Sequence, residues 1–271
     1  MQEPDSGFDS AAWDRQQVEI RSKVITTDTF TWRVEAGVSQ DKLRLVGGLD
    51  ISFRVDQSER ERAVACLVVL SLPTLEVVHE ATLNLVMPHS YRPGYLAARE
   101  CPAYMQLLTA VKATPFCPQV VLVDGFGILH PRGCGSASHV GVLADIPTIG
   151  VGKNLLHVDG LTEQHVRCCM RAAGEGTRIP AAAGDAMLPT CHPNGSITMP
   201  LVGLSGATLG MALTANAGVQ KPVYVSIGHG ISLSTAMEVV RCCCLHRVPE
   251  PIRQADIRSR QHLRELLDAG V

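Results

Sequence analysis

The sequence predicts an α/β fold: a mixed sheet, an antiparallel meander plus parallel strands, flanked by helices. Two observations carry this. Three β-rich runs, Leu43–Phe53, Ala63–Leu70 and Leu75–Ala81, follow one another across short polar or Pro-containing joints. Joints that short favour antiparallel neighbours. After them come short apolar runs set off by helical patterns and turn residues, Gln119–Val123 and Thr148–Val151. Such runs read as strands covered on both faces.

In chain order, residues 1–40 are polar and mixed, and read as an N-terminal helical extension. Within them Asp9-Ser10, followed by Ala11, Trp13 and Val18, predicts an amphipathic helix capped by Ser10. Residues 41–271 read as one domain. The meander leads into a helix over Gly94–Lys112 whose apolar positions are Ala97, Ala98, Tyr104, Leu107, Leu108 and Val111. A strand ending at Asp124, a Gly-rich loop and a short helix near His139–Leu143 follow. Residues 161–196 interrupt the order. From Arg171 to Gly195 this stretch is rich in Gly, Ala and Pro without a clear period, and reads as a surface insertion with mobile parts. Strands resume at Met199–Val202, Thr208–Thr214 and Pro222–Ile227. A helix through Ala236, Val239 and Val240 and an Arg-rich helix over Glu250–Leu267 close the chain.

Composition narrows the function classes. The 271 residues are 46% hydrophobic and 18% charged, which excludes wholesale disorder. A net charge of −2 argues against gripping nucleic acid by global positive charge, although the tail from Arg241 onward holds six arginines against four acids. Aromatics at 4% argue against broad base-stacking platforms. The ten cysteines contain no C-x-x-C pair, so they read as reduced, mostly buried small side chains rather than zinc ligands. The longest apolar run, near Ala63–Leu72, is about half of a membrane span, so no membrane association is expected. The expected setting is cytoplasmic, with the nucleus also compatible, and the expected state is monomeric.

Chemistry concentrates in four places. Asp50 sits inside an apolar strand, Asp124 ends a buried strand, and Glu100 lies on the helix after the meander. Ligand sites of open α/β sheets lie at the carboxyl ends of strands. Converged carboxylates repel unless a cation lies between them, and hard divalent ions take oxygen ligands. Two such ions about 4 Å apart would clamp the attacking and leaving oxygens of a phosphodiester. The alternative for each acid is a solvated or capping role. The loop Asp124–Gly141 offers Gly125 and Gly127 for close backbone approach to a base, with His130 and Arg132 as polar and cationic groups; it also reads as a structural turn. Ile146–Asn154 ends like a phosphate-binding loop, but Pro147 and Asn154 stand where Gly and Ser/Thr are required, so a nucleoside triphosphatase is excluded. Lys153 remains placed to reach a phosphate. His229, between two glycines at a strand-to-helix junction, is either a proton-transfer group or a core histidine.

Five segments in order resemble the endonuclease V family, which cuts nucleic acid beside inosine. They are Val46-Gly-Gly-Leu-Asp-Ile-Ser-Phe53, Tyr91-Arg-Pro-Gly-Tyr-Leu-Ala-Ala-Arg-Glu100, Val123-Asp-Gly-Phe-Gly-Ile-Leu-His-Pro-Arg132, Ile149-Gly-Val-Gly-Lys153 and Ser226-Ile-Gly-His229. The tail Pro249–Arg260 looks like the eukaryotic branch. The resemblance implies a ribonuclease H-like fold for 41–271, with Asp50, Glu100 and Asp124 holding Mg²⁺ or Mn²⁺. It implies that His229 assists beside the metals and that Lys153 supports the attacking water or the phosphate. Tyr91 and Pro93 would belong to a strand-separating wedge. Gly94, Leu96, Gly125, Gly127 and Leu156 would line a pocket for a flipped hypoxanthine. The implied activity is an endoribonuclease acting on inosine-containing single-stranded RNA at the second phosphodiester 3′ to inosine, leaving 3′-hydroxyl and 5′-phosphate ends. Two alternatives are a repair enzyme for deoxyinosine in DNA and a binding-only inosine reader. Ser90, Arg92, Ala98, Phe126, Gly152 and Asn154 depart from the family pattern.

Overall fold

A computed structural model describes residues 9–34, 41–55, 61–87, 92–177, 188–216 and 219–268. The meander is formed by β1 (Leu45–Val55), β2 (Glu61–Ser71) and β3 (Glu76–Val86), each antiparallel to the next. On its other edge β1 runs parallel to β4 (Val120–Asp124), and β4 runs parallel to β5 (Thr148–Gly152). Antiparallel strands β9 (Val223–His229), β8 (Thr208–Thr214), β7 (Ile197–Val202) and the two-residue β6 (Thr190–Cys191) complete the sheet. Its order is β3-β2-β1-β4-β5-β9-β8-β7-β6, the mixed sheet the sequence predicts, with the parallel strands at its centre.

Helices cover both faces, and strand alternation decides which side chains they meet. Leu49 and Ile51 of β1 pack with Val121 and Val123 under α2 (Leu96–Lys112) and α3 (Ser136–Ala144). The alternate residues Val46, Val120 and Leu122 pack with α5 (Leu233–Cys242) on the opposite face. There α6 (Glu250–Asp268) lies across β1 and β2, with Ala255 against Cys66, Val68 and Leu70. Burial at full density of these apolar sets, at roughly 25 cal/mol per Å² of apolar surface, is the main stabilising term.

Three local outcomes differ from the sequence expectations. The first helix, α1 (Ser10–Ser22), is capped by Asp9 rather than Ser10, because the Asp9 carboxylate accepts from Ala12 N–H. Its inward residues are Gln17 and Ile20, while Val18 is exposed, so its buried stripe is not the one the apolar residues suggest. The short helix after the glycine loop starts three residues earlier, at Ser136. Within 161–196 a regular helix, α4 (Glu163–Gly174), is capped by Thr162 and packs Val166, Cys169 and Met170 against Met199, Leu201 and Ala212. That helix belongs to the core and Thr190–Cys191 pairs with β7 at the sheet edge; residues 178–187 of the expected insertion lie outside the described residues.

All ten cysteines are free thiols; five are buried and Cys191 and Cys242 are exposed. No helix among the described residues is long and apolar enough to cross a membrane.

Candidate active site

A cavity of about 520 Å³ opens at the carboxyl end of β4, lined by Asp50, Glu100, Asp124, Lys153, Gly94, Leu96, Gly125, His130 and Leu156, among others. Three elements bring the acids there. Asp50 is 5% exposed on β1, where its carboxylate accepts from Ser259 Oγ at 3.0 Å. Asp124 is the last residue of β4. Glu100, buried on α2, accepts from the Tyr104 hydroxyl one turn on, at 3.4 Å. Lys153, one residue beyond β5, meets Asp124 Oδ2 at 2.6 Å and Asp256 Oδ1 at 3.9 Å.

The electrostatics follow from this crowding. Burial pushes the Asp50 carboxyl up to about 8, and Asp124 beside it adds to the rise. Burial, then the Asp50 and Asp124 charges, hold Glu100 well above the ordinary carboxylate range. Burial works against the Lys153 charge, but Asp124, Asp50 and Asp256 outweigh it and hold that ammonium above its usual value. A cation between the carboxylates would relieve the repulsion, and an all-oxygen donor set suits a hard divalent ion. Asp50, Asp124 and Glu100 therefore fit such an ion in chemistry. As the side chains stand, no group of three or more His, Cys, Asp or Glu among the described residues is closed into a ready-made metal cage.

One wall of the cavity is built by a brace from the N-terminal segment. Gln17 donates to the carbonyls of Gly94 at 3.0 Å and Cys134 at 3.3 Å, and accepts from Arg132 Nε. His130 Nδ1 accepts from Arg132 N–H, which leaves Nε2–H to donate to Gly94 O at 3.2 Å. Burial, with Arg132 beside it, pushes this imidazole down to about 4, consistent with the neutral tautomer. The Gly94 carbonyl is thus fixed by three donors, since Arg132 Nη2 also reaches it at 2.6 Å.

Several expected site residues are placed elsewhere. His229 is a correction. Strand β9 runs antiparallel to β5 and pairs His229 with Thr148, whereas Asp124 pairs with Val151. That puts His229 toward the other end of the sheet, roughly 10 Å along the strand from the level of Asp124. There its Nδ1 accepts from Ile25 N–H at 3.3 Å, and burial lowers its pKa. Arg132, read from the sequence as a cationic group of the binding loop, is engaged with the Gly94 turn, an ion pair with Asp14 at 3.3 Å and the face of Tyr95. Gly127 does not line the cavity: its N–H donates to Ser226 Oγ, and a Cβ there would lie 1.8 Å from Ile227 O, so glycine serves strand packing. Pro93 is exposed in the turn before α2, and Tyr91 lies outside the described residues.

The structure also joins residues that the sequence left apart. Asp256 on α6 faces Lys153 and raises Asp50 further, and Arg260 Nη2 holds it at 2.8 Å. In the sequence it is one acid in an Arg-rich helix; its relevance depends on α6 crossing β1. Two departures from the family pattern explain each other. The Phe126 ring occupies the space where a Cβ on Gly152 would come within 2.2 Å of it, so the larger residue at one position goes with the absent side chain at the other.

Comparison with known proteins agrees with this geometry. A family profile described as Endonuclease V matches residues 28–257. Human Endonuclease V is 41% identical over 94% of this chain and 83% of its own length, and the mouse protein is 42% identical over 94% and 70%. The crystal structure of the catalytic domain of human Endonuclease V superposes with a TM-score of 0.80 at 39% identity, covering 95% of this chain and 97% of that one. A Ciona intestinalis Endonuclease V in complex with a 24mer DNA containing an inosine followed by a ribo-adenosine superposes with a TM-score of 0.78 at 34% identity, covering 94% and 98%. By the extent of the profile match and the identity to these relatives, the chain belongs to the Endonuclease V family and is a nuclease.

Proposed function

We propose that this nuclease cuts inosine-containing single-stranded RNA at the second phosphodiester on the 3′ side of inosine, leaving a 3′-hydroxyl and a 5′-phosphate. The observation that carries the reading is the cavity itself: a space within the usual range for small ligands, with three mutually repelling carboxylates and a lysine at its rim. Leu96 and Leu156 supply apolar walls for a base, and Gly94 and Gly125, without side chains, let it approach the backbone. Extruding a base costs a few kcal/mol and least from a single strand.

Asp50, Glu100 and Asp124 would hold Mg²⁺, with Mn²⁺ as a substitute, and Asp256 adds a fourth carboxylate beside them. Bound there, the ions supply charge for the phosphorane-like transition state and lower the pKa of the attacking water. Lys153, held by Asp124, faces the phosphate and offsets charge on a non-bridging oxygen. Water adds to phosphorus, and the 3′ oxygen departs and takes up a proton. His130, neutral and bonded to Gly94, keeps the base cavity open without entering the proton transfers.

The RNA assignment is supported by the Ciona intestinalis relative, whose bound DNA carries a ribonucleotide directly after the inosine. A 2′-hydroxyl near the cut is what distinguishes RNA from DNA at such a site. Matched RNA and DNA oligonucleotides with one inosine, cut in Mg²⁺ and sized on a sequencing gel, test this. Faster RNA cutting, with products ending one nucleotide beyond the inosine, is the expected result. Preferential DNA cutting overturns the RNA assignment, and binding without any Mg²⁺-dependent cut leaves an inosine reader.

A further inference from the structure

The acids open onto a second cleft that the base cavity does not use. It has a volume of about 610 Å³ and shares Asp50, Ile51, Phe53, Asp124 and Lys153 with the first. Its remaining walls come from Ser52 and Arg54 and from the Asp256, Arg260, Leu263, Arg264 and Leu267 face of α6. Spacings of three and four residues place that face on one side of the helix. The first cleft extends to the α2 side of β1 and the second to its α6 side, toward which Asp50 and Ser52 are bonded through Ser259, and the two meet at the end of β1, where Asp50, Ile51 and Phe53 line both. The carboxylates sit where the two meet.

Part of the positive charge in this cleft is set against the preferences of the fold. Arg260 and Arg264 are like charges one turn apart, an arrangement that weakens a helix. Arg54 stands directly opposite Arg62 across β1 and β2, which likewise disfavours a strand pair. Arg260 is bonded to Asp256, but among the described residues neither Arg54 nor Arg264 meets a carboxylate; Arg264 Nε reaches only the Arg260 carbonyl. At the junction Phe53 is 44% exposed, with the buried Arg99 guanidinium 4.9 Å from its ring centroid. Arg99 itself is fixed by Glu61 at 2.9 Å. An exposed ring braced from behind and two uncompensated cations beyond it match a nucleotide chain: a base to stack and phosphates to neutralise.

We propose that this α6 cleft holds the strand on the 3′ side of the cut, with Phe53 stacking the base next to the cut and Arg54 and Arg264 meeting the following phosphates. The polarity rests on the cutting position proposed above: the inosine occupies the α2-side cavity upstream of the acids, so the strand leaving the acids downstream enters the α6 side.

The test compares kcat/KM on RNA oligonucleotides lengthened either 3′ or 5′ of the inosine, for the wild type and for the Arg54→Ala, Arg264→Ala double variant. The wild type should gain about tenfold from a 3′ extension, and the double variant less than about twofold, while the gain from a 5′ extension is the same in both. The salt slope of the variant on the long 3′ substrate should be shallower by about 1.4, for two lost phosphate contacts on a single strand. Arg264→Lys should keep most of the 3′ gain, and Phe53→Trp should keep what Phe53→Leu loses. Both arginines are exposed, and an unchanged melting temperature ties any loss to binding. A double variant that keeps the full 3′ gain, or loses the 3′ and 5′ gains together, overturns the assignment. A wild-type enzyme that does not prefer inosine over adenosine is a separate failure, of the base cavity and not of the cleft.

Discussion

At the scale of single residues, Asp50 is the sharpest probe, because its buried carboxyl is held at about 8 beside Asp124. A carboxyl raised above its unfolded value binds more protons in the folded chain, so metal-free stability should fall as pH rises from about 4 to about 8. Mg²⁺ should remove that fall by taking the place of the protons, and should bind more tightly with rising pH over the same range. Melting curves in EDTA and in Mg²⁺ across this window check both signs. Asp50→Asn keeps an acceptor for Ser259 and removes the repulsion. It should stabilise the metal-free chain by about 1–3 kcal/mol while slowing cutting by about a hundredfold or more. A destabilised variant would show that the Asp50 charge is needed for the fold. His229 and Asp256 form a contrasting pair. Replacement of His229 by Ala should leave kcat within about threefold and lower the melting temperature, because the imidazole is bonded to Ile25 and packed at the far end of β9. Asp256→Ala should lose cutting with little change in melting temperature. The opposite ranking in single-turnover assays would return His229 to the active site.

At the scale of elements, apolar runs were legible and placement was not. Val120–Asp124 reads as a strand because four buried apolar residues precede its acid. The α4 helix is obscured in the sequence by the Gly- and Ala-rich stretch that follows it, although Thr162-Glu163 at its start is a cap with an acid in the first turn. Thr162→Ala should cost about 1 kcal/mol, measured by denaturant unfolding. The place of His229 is not legible for a different reason: a strand has two ends, and only the antiparallel pairing of β9 with β5 decides which end lies near the acids. Gln17 is the least legible residue of all, a polar side chain turned inward from a mostly polar helix, whose role appears only when α1 is docked beside Gly94 and Cys134. Gln17→Ala takes the side-chain donor from the Cys134 carbonyl, one of three donors from the Gly94 carbonyl and the acceptor from Arg132 Nε. It should cost about 1–3 kcal/mol of stability and raise KM more than it lowers kcat. An unchanged KM would mean that α1 stabilises the fold without shaping the base cavity.

At the scale of the whole molecule, a net charge of −2 and a nuclease activity are compatible because charge is sorted by place. The negative charge that matters is concentrated at the end of β4, where it suits cations, and two arginines of α6, Arg260 and Arg264, face the cleft beside it. Few aromatics are needed when one base enters a cavity and one exposed ring, Phe53, sits at the junction. The account rests on selection of inosine by the α2-side cavity together with cutting at the carboxylates. The most direct measurement is the single-turnover rate on RNA oligonucleotides identical except for one inosine, adenosine or guanosine, in Mg²⁺ and in EDTA. Cutting in Mg²⁺ should be at least about a hundredfold faster beside inosine than beside adenosine, and absent in EDTA. Equal rates on the three oligonucleotides, or undiminished cutting in EDTA, would contradict the account.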